Sequence, residues 1–484
     1  MVKSAVGDES RLRFAEDRLF QSGAPAETGL IIGKLSSVSD RGLIFDLIPT
    51  PPTDSGGPAC TLRSEGGGRE DKKKGSKGGK SSSDPTPSLV IDGDWVAEHA
   101  RQVSRMLLGG MYVIGAYVWA SEASFKATSQ TILSQTIRGI AQAVSKVESD
   151  SDEMLLIHIS YSPRRWACLK GTHASGSLRP CDFKMTKLIT SLQTFRCMYN
   201  FEMRIPVSQS EALRSDIKNV LRKRIASLAK EFRGAKALID GHLWTGNQLS
   251  ISEDPHTVEL LLPFKDGASS EASSSEDIVG LILFSGAIFA SAYLGPKEPI
   301  SQAISDLQGD IINSLRSRLD IISDEAEGNS NLMASSGREE ASSEISAEKP
   351  FHRLMLHELR NPYCLSFPKR VLVPWLADAC ICDYLQPSET FEDLKERCKE
   401  MMSMETPIDT SALIEPETEA ISIAAKSFWD AIQGDSASIV HKSNSREHAS
   451  RNEGTGMKTS FISFPVAVII LLLALLIGLA IKFL

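Results

Sequence analysis

Twenty consecutive residues without a charge, Ile462 to Ile481 (ISFPVAVIILLLALLIGLAI), constrain this chain more than any other feature. As a helix they rise about 1.5 Å each and reach about 30 Å, the thickness of a bilayer's hydrocarbon core. Core helices of globular domains are seldom apolar on every face for that length. Lys458 and Lys482 flank the run, and Pro465 sits in its first turn, where a missing N–H costs least. Ile462, Pro465, Leu472 and Ile481 therefore mark an expected single-pass anchor within residues 458–484. Met1 to Ser10 lack the apolar stretch of a secretory signal. Insertion is then expected after synthesis, with the bulk of the chain on the cytosolic side.

A second uncharged run, Ile278 to Gly295, is diluted by Gly280, Ser285, Gly286, Ser291 and Gly295. It is expected as two buried strands with a turn at Ser285-Gly286. Hydrophobic residues make up 42% and charged residues 24%, a globular balance, and the net charge of −8 offers no pull toward nucleic acid. The eight cysteines are scattered, which in a reducing compartment reads as buried or idle thiols.

The pattern along the chain predicts an α/β (α+β) fold. Strands are expected at Thr28–Gly33 and Gly42–Ile48, followed by a disordered Gly-, Ser- and Lys-rich insertion at about 51–87. A helix capped by Asp94 should run to Leu107, with Val96, Ala100, Val103 and Leu107 on one face. Gly109-Gly110 should end it, before a strand at Met111–Trp119, a helix over Phe125–Val147 and a strand at Met154–Tyr161. A second α/β region is expected over 206–385, with helical stripes at Leu213–Leu228 and Ile300–Ile322, a strand at Val258–Phe264, a disordered acidic segment at 323–350 and strand character at Arg370–Tyr384. Residues 386–457 read as a flexible tether holding one short helix around Ala420–Ile432. The domains are thus 1–205, 206–385, the tether and the anchor.

Reacting groups are hard to find. The chain has no phosphate-binding loop, dinucleotide fingerprint, His-Glu-x-x-His helix or Gly-x-Ser-x-Gly elbow. Its nine histidines form no His-x-His pair, and His99 reads as a structural histidine. Three functional classes stay open: a non-enzymatic adaptor, a hydrolase with a spatially assembled Cys or Ser site, and a vesicle tether. The tether would want long heptads beside the anchor, which 435–457 lacks.

Gly29-Leu-Ile-Ile-Gly33 and the later Val113-Ile-Gly-Ala-Tyr-Val-Trp119 resemble the scaffold of MPN domains. Metalloproteases of that group carry a Glu before the first glycine, then Gly-x-Tyr-His-x-His and Ser-x-x-Asp. Aligned on Gly115 and Tyr117, the histidine positions fall on Val118 and Ala120, and the Glu position on Ala26, with Glu27 one residue out of register. No Asp follows before Val147. The resemblance therefore implies a metal-free, catalytically degenerate MPN-like domain over 1–205, with no cofactor.

Asp94 to Leu107 (DWVAEHARQVSRML) followed by Gly109-Gly110 resembles the signature of the Odr-four family (odorant response abnormal protein four). Its markers here are Trp95, Glu98, His99, Gln102, Ser104, Arg105, Gly109 and Gly110. Arg179-Pro-Cys-Asp182, Arg370-Val-Leu-Val-Pro374, Cys382-Asp-Tyr384 and the C-terminal span follow in order. That resemblance implies a protein of the endoplasmic reticulum membrane that supports folding or trafficking of multi-spanning membrane proteins such as receptors. It also implies partnership with the protease specific for the ubiquitin-fold modifier, and no enzymatic activity of its own.

Overall fold

Strand-forming runs of Ile, Leu and Val near the N-terminus close on themselves. The structure, a computed structural model, describes residues 2–36, 40–63, 86–144, 153–172, 177–208, 216–246, 255–263, 278–295, 298–335, 363–404, 410–414, 417 and 420–427. Seven strands form a closed barrel: β1 (Ser4–Asp8), β2 (Glu27–Ser36), β3 (Arg41–Pro49), β6 (Tyr112–Trp119), β7 (Glu153–Tyr161), β8 (Arg164–Thr172) and β9 (Arg179–Thr186), in the order β1-β3-β2-β6-β7-β8-β9. Parallel pairing of β1 with both β3 and β9 makes the closure. Helix α1 (Glu9–Ser22) is capped by Asp8, which accepts from Arg11 N at 3.2 Å, and packs Leu12, Ala15 and Leu19 on one face of the barrel strands with Ile31, Ile44, Tyr117 and Leu155. The other face packs Leu30, Phe45, Val113, Val118 and Leu156 against helices α2 (Gly93–Met106) and α4 (Gln130–Ala143).

A second sheet, seven strands wide, is built around two long neighbours, β10 (Gln193–Ser208) and β14 (Ile278–Leu294), antiparallel from Gln193↔Leu294 to Ser208↔Ile278. Its order is β12 (His242–Leu243), β11 (Lys236–Ile239), β13 (His256–Leu261), β10, β14, β18 (Ser422–Ser427) and β15 (Tyr363–Ser366). Helices α5 (Ile217–Phe232) and α6 (Ile300–Ser335) share its apolar core through Leu221, Ile225, Leu307, Ile311 and Leu315. Two hairpins, β4 (Cys60–Arg63) with β5 (Ser88–Ile91) and β16 (Lys369–Leu376) with β17 (Ala379–Leu385), complete the sheets among the described residues. Helices α3 (Glu122–Ala127) and α7 (Phe391–Met402) complete the α-helices among them. The architecture is mixed α and β.

Several expectations need correction. The helix N-cap is Asp92, not Asp94: its carboxylate accepts from Trp95 N at 3.0 Å. The helix expected over 125–147 is two helices, because Thr128 turns extended and Ser129 starts a new cap. The run at 278–295 is one strand. Gly286 lies in it at φ +153 because the backbone of Ile421 crosses there, where a Cβ would meet Ile421 Cα at 2.7 Å. The 51–87 insertion begins in ordered structure: Cys60–Arg63 within it forms β4, which pairs with β5 just beyond its end. Helix α6 continues through the segment expected to be disordered as far as Ser335, so only 336–350 of it lies outside the described residues.

The boundary at 205/206 falls inside β10, and the described residues belong to one compact unit, Met1–Phe428. The tether is also shorter than expected. Residues 391–402 form α7, and the helix expected at 420–432 is instead strand β18 as far as Ser427. Ile421, Ile423 and Ala425 alternate into the core there. The expected anchor lies in the other unit, Trp429–Leu484, outside the described residues. Among the described residues, no helix is long and apolar enough to cross a membrane.

Candidate docking groove on the signature helix

Helix α2 is amphipathic in two directions. Val96, Ala100, Val103 and Met106 enter the core, while Trp95, Glu98, Gln102 and Arg105 stand on its flank. That flank is one wall of a groove of about 390 Å³, whose opposite wall comes from β17 and α7 through Asp383, Tyr384, Arg397, Glu400 and Met401. Five of the eight signature residues (Trp95, Glu98, His99, Gln102 and Arg105) line it.

Hydrogen bonds and ion pairs tie the groove's walls together. Trp95 Nε1 donates to Pro51 O at 2.9 Å. His99 spans the base, with Nε2 2.9 Å from Met401 O and Nδ1 3.3 Å from Thr50 Oγ1. Burial pushes its pKa down to about 4, so at neutral pH the ring is uncharged. Gln102 Nε2 donates to Glu98 Oε1 at 2.7 Å, and Arg101 pairs with the same carboxylate. Arg105 pairs with Asp324 of α6 at 2.7 Å and is only 16% exposed. Arg397 bridges Asp383 at 2.8 Å and Glu389 at 2.6 Å. Helix α7 is fixed by a reciprocal capping box between Thr390 and Asp393.

The remaining signature residues work at the helix end. Ser104 Oγ donates to Arg101 O at 2.7 Å. Gly109 and Gly110 take φ of +71 and +81, and there the barrel meets the second sheet: Gly109 bridges Ala292, and Tyr293 N donates to Gly109 O at 3.0 Å. A Cβ on Gly110 would stand 2.4 Å from Asp306 Oδ2, the carboxylate that pairs with buried Lys34 at 2.5 Å. These glycines permit a close approach that any side chain would block.

The positions that resemble a metalloprotease are also adjacent in space. Strand pairing sets Thr28 opposite Val118 and Glu27 opposite Trp119. Ala26, Val118 and Ala120 are all buried in one apolar cluster. Glu27 cannot replace the absent carboxylate, because strand alternation turns it to the α1 side. There it accepts from Tyr117 Oη at 2.7 Å and from Arg18 Nη2 at 2.9 Å. His158, which the sequence did not single out, lies opposite Val118; its Nε2 contacts Ala120 O at 3.2 Å and its ring stacks on Phe125 at 3.9 Å. Among the described residues there is no cluster of three or more His, Cys, Asp or Glu placed to hold a metal, and no histidine nitrogen bonds a serine or cysteine. Burial pushes the Cys60, Cys197 and Cys398 thiols up to about 12.

Of the groove's second wall the sequence pattern marked Asp383 and Tyr384 in β17 but missed helix α7. Its signal was the stripe Leu394, Cys398 and Met402, four residues apart and all buried.

The sequence matches the family described as Odorant response abnormal 4-like over residues 29–413. It is 25% identical over 428 residues to the Protein odr-4 homolog of Gallus gallus, covering 83% of each chain. To the Mus musculus homolog it is 23% identical over 421 residues, 81% of each. Among solved structures, UfSP from C. elegans superposes with a TM-score of 0.36 at 7% identity, covering 84% of this chain and 58% of that one.

Proposed function

The chain belongs to the Odorant response abnormal 4-like family, and from that premise we propose that it is a non-enzymatic adaptor of the endoplasmic reticulum membrane. One observation carries the reading: the residues that mark the family are used to wall a groove and to seat a helix, not to assemble reacting groups. In this reading the barrel is a degenerate MPN-like body. Its Glu and His positions are filled by Ala26, Val118 and Ala120, which have no donor atom to offer a zinc ion. The run 462–481 holds the body at the bilayer, and the α2 groove is where the ubiquitin-fold-modifier-specific protease docks. Multi-spanning membrane proteins such as receptors are the clients.

The test is co-precipitation of that protease with the tagged full-length chain from a detergent extract, alongside Trp95→Ala and Glu400→Arg variants. Capture by the parent chain and at least tenfold less by both variants, with unchanged unfolding midpoints, is the expected result. Equal capture by all three removes the groove from the interface, and no capture at all removes the partner. The anchor is checked separately: the chain should resist alkaline carbonate extraction, and its release would end the membrane reading. Turnover of modifier conjugates by the purified chain alone would end the non-enzymatic one.

A further inference from the structure

Two of the eight cysteines face one another across a β-ladder. Cys168 lies in β8, Cys181 in β9, and the antiparallel register sets them directly opposite, with Leu169↔Pro180 and Lys170↔Arg179 following. Pro180 has no N–H, so Leu169 and Pro180 cannot be the pair that exchanges both backbone hydrogen bonds. That role alternates to Cys168 and Cys181. Their Cα atoms are then about 5.5 Å apart, within the range of about 4.4–6.8 Å that disulfides span. Both side chains lie on one face: Cys168 is buried in the α1-side core and Cys181, partly exposed, packs against it.

We propose that Cys168 and Cys181 form a reversible disulfide on reaction with a hydroperoxide, making this barrel seam a redox modification site. The chemistry is balanced by the two thiols. Cys181 sulfur attacks one peroxide oxygen, the O–O bond breaks, and Cys181 becomes a sulfenic acid as an alcohol or water leaves. Cys168 sulfur then attacks Cys181 sulfur; the S–S bond forms, the S–O bond breaks, and water leaves with the Cys168 proton. Two small-molecule thiols return the pair to the dithiol and become a disulfide themselves.

The environment sorts the roles. Cys168 Sγ lies 3.8 Å from Leu169 O and Cys181 Sγ 3.7 Å from Lys3 O, and the neighbouring Cys168 thiol, helped by Lys170, lowers Cys181 to about 7. Cys181 is therefore the readier of the two to ionise, whereas Cys168 is pushed up and acts as the resolving thiol. Other thiols lack this arrangement: Cys60, Cys197 and Cys398 are buried and raised, and burial also raises Cys380 and Cys382. The location gives the bond a consequence. Only three residue pairs tie β8 to β9, and β9 closes the barrel by pairing with β1. A disulfide there would staple the shortest ladder of the closure.

The experiment treats the full-length chain in mild detergent with hydrogen peroxide, blocks free thiols, and maps peptides by mass spectrometry with and without dimedone. The expected product is a Cys168–Cys181 cross-link, lighter by two hydrogens and reversed by dithiothreitol. Amide exchange along β9 should slow on the order of a hundredfold on oxidation, the entropy of a loop this short. In Cys168→Ala, dimedone should trap Cys181 as the stable sulfenic acid; in Cys181→Ser neither product should form. A stable dimedone adduct on Cys181 in the parent chain without cross-link overturns the proposal, as does first oxidation at Cys380 and Cys382. Failure of dimedone to label Cys181 in Cys168→Ala overturns the assigned order of attack.

Discussion

Replacing Gly110 with alanine should damage this protein far more than the loss of one hydrogen atom suggests. Gly110 sits at φ +81, where an L side chain costs about 1–2 kcal/mol. The new methyl group would lie 2.4 Å from Asp306 Oδ2 and 2.5 Å from its Cγ, so the carboxylate must move. Asp306 holds Lys34 Nζ at 2.5 Å and accepts from Gln302 Nε2 at 2.9 Å, with both charged side chains about 5% exposed or less. Breaking a buried pair costs about 3–5 kcal/mol, and Glu298, 3.1 Å from Lys34, keeps the loss near the lower end. The sum is about 4–5 kcal/mol. Gly23→Ala is the control: its φ is +62 with no atom within 4 Å of the new Cβ, so it should cost only about 1 kcal/mol. Urea unfolding of the full-length chain in nonionic detergent, followed by tryptophan fluorescence, measures both. In a double-mutant cycle, Gly110→Ala and Asp306→Ala should be strongly non-additive, since each removes the same contact. If the two glycine variants differ by less than about 1 kcal/mol, or the cycle is additive, the account of Gly110 as a spacer for that ion pair is refuted.

Two further outcomes follow from buried groups. His99 is held near 4 when folded and returns to about 6.5 when unfolded. The unfolded chain therefore binds the extra proton, and this contribution is complete above about pH 6.5 and lost as pH falls toward 4. It amounts to about 3 kcal/mol, and His99→Gln should flatten that part of a stability–pH profile measured by urea midpoints. Asp310 accepts two bonds from the Arg370 guanidinium, at 2.7 and 3.0 Å, with both side chains 2% exposed. Asp310→Ala strands that cation and should cost about 3–5 kcal/mol in the same assay, with Asp310→Asn milder.

Four of the barrel's seven strands were legible because they are locally emphatic, whereas β1, β8 and β9 were not read. Gly42–Ile48 and Met154–Tyr161 carry enough apolar residues to announce themselves, and the α2 stripe reads at helical spacing. What was missed depends on distance along the chain. Closure through Ser4↔Asp182 joins residues that no local window can connect. Strand β10 did carry a signal: Phe195, Cys197, Tyr199, Phe201 and Met203 alternate inward with Arg196, Met198, Asn200, Glu202 and Arg204 outward. Helix α7 was hidden by its charges, since Glu392, Asp393, Lys395, Glu396 and Lys399 outnumber its three core residues. The groove was partly legible: the signature gave the α2 wall and the Asp383-Tyr384 edge of the other, while Arg397, Glu400 and Met401 came from the unread α7. Gly286 misled because a glycine within an apolar run signals a turn or a close backbone crossing equally well.

The placement of β18 has a bearing on where this chain can be cut. Ser422–Ser427 is not an appendage but an interior plank, bonded to β14 on one side and β15 on the other. A polypeptide ending short of it would keep nearly all of its sequence yet present two raw edges, one of them along the very apolar β14. Such edges recruit other chains. Clumping, not a neatly shortened protein, is what such a deletion should yield.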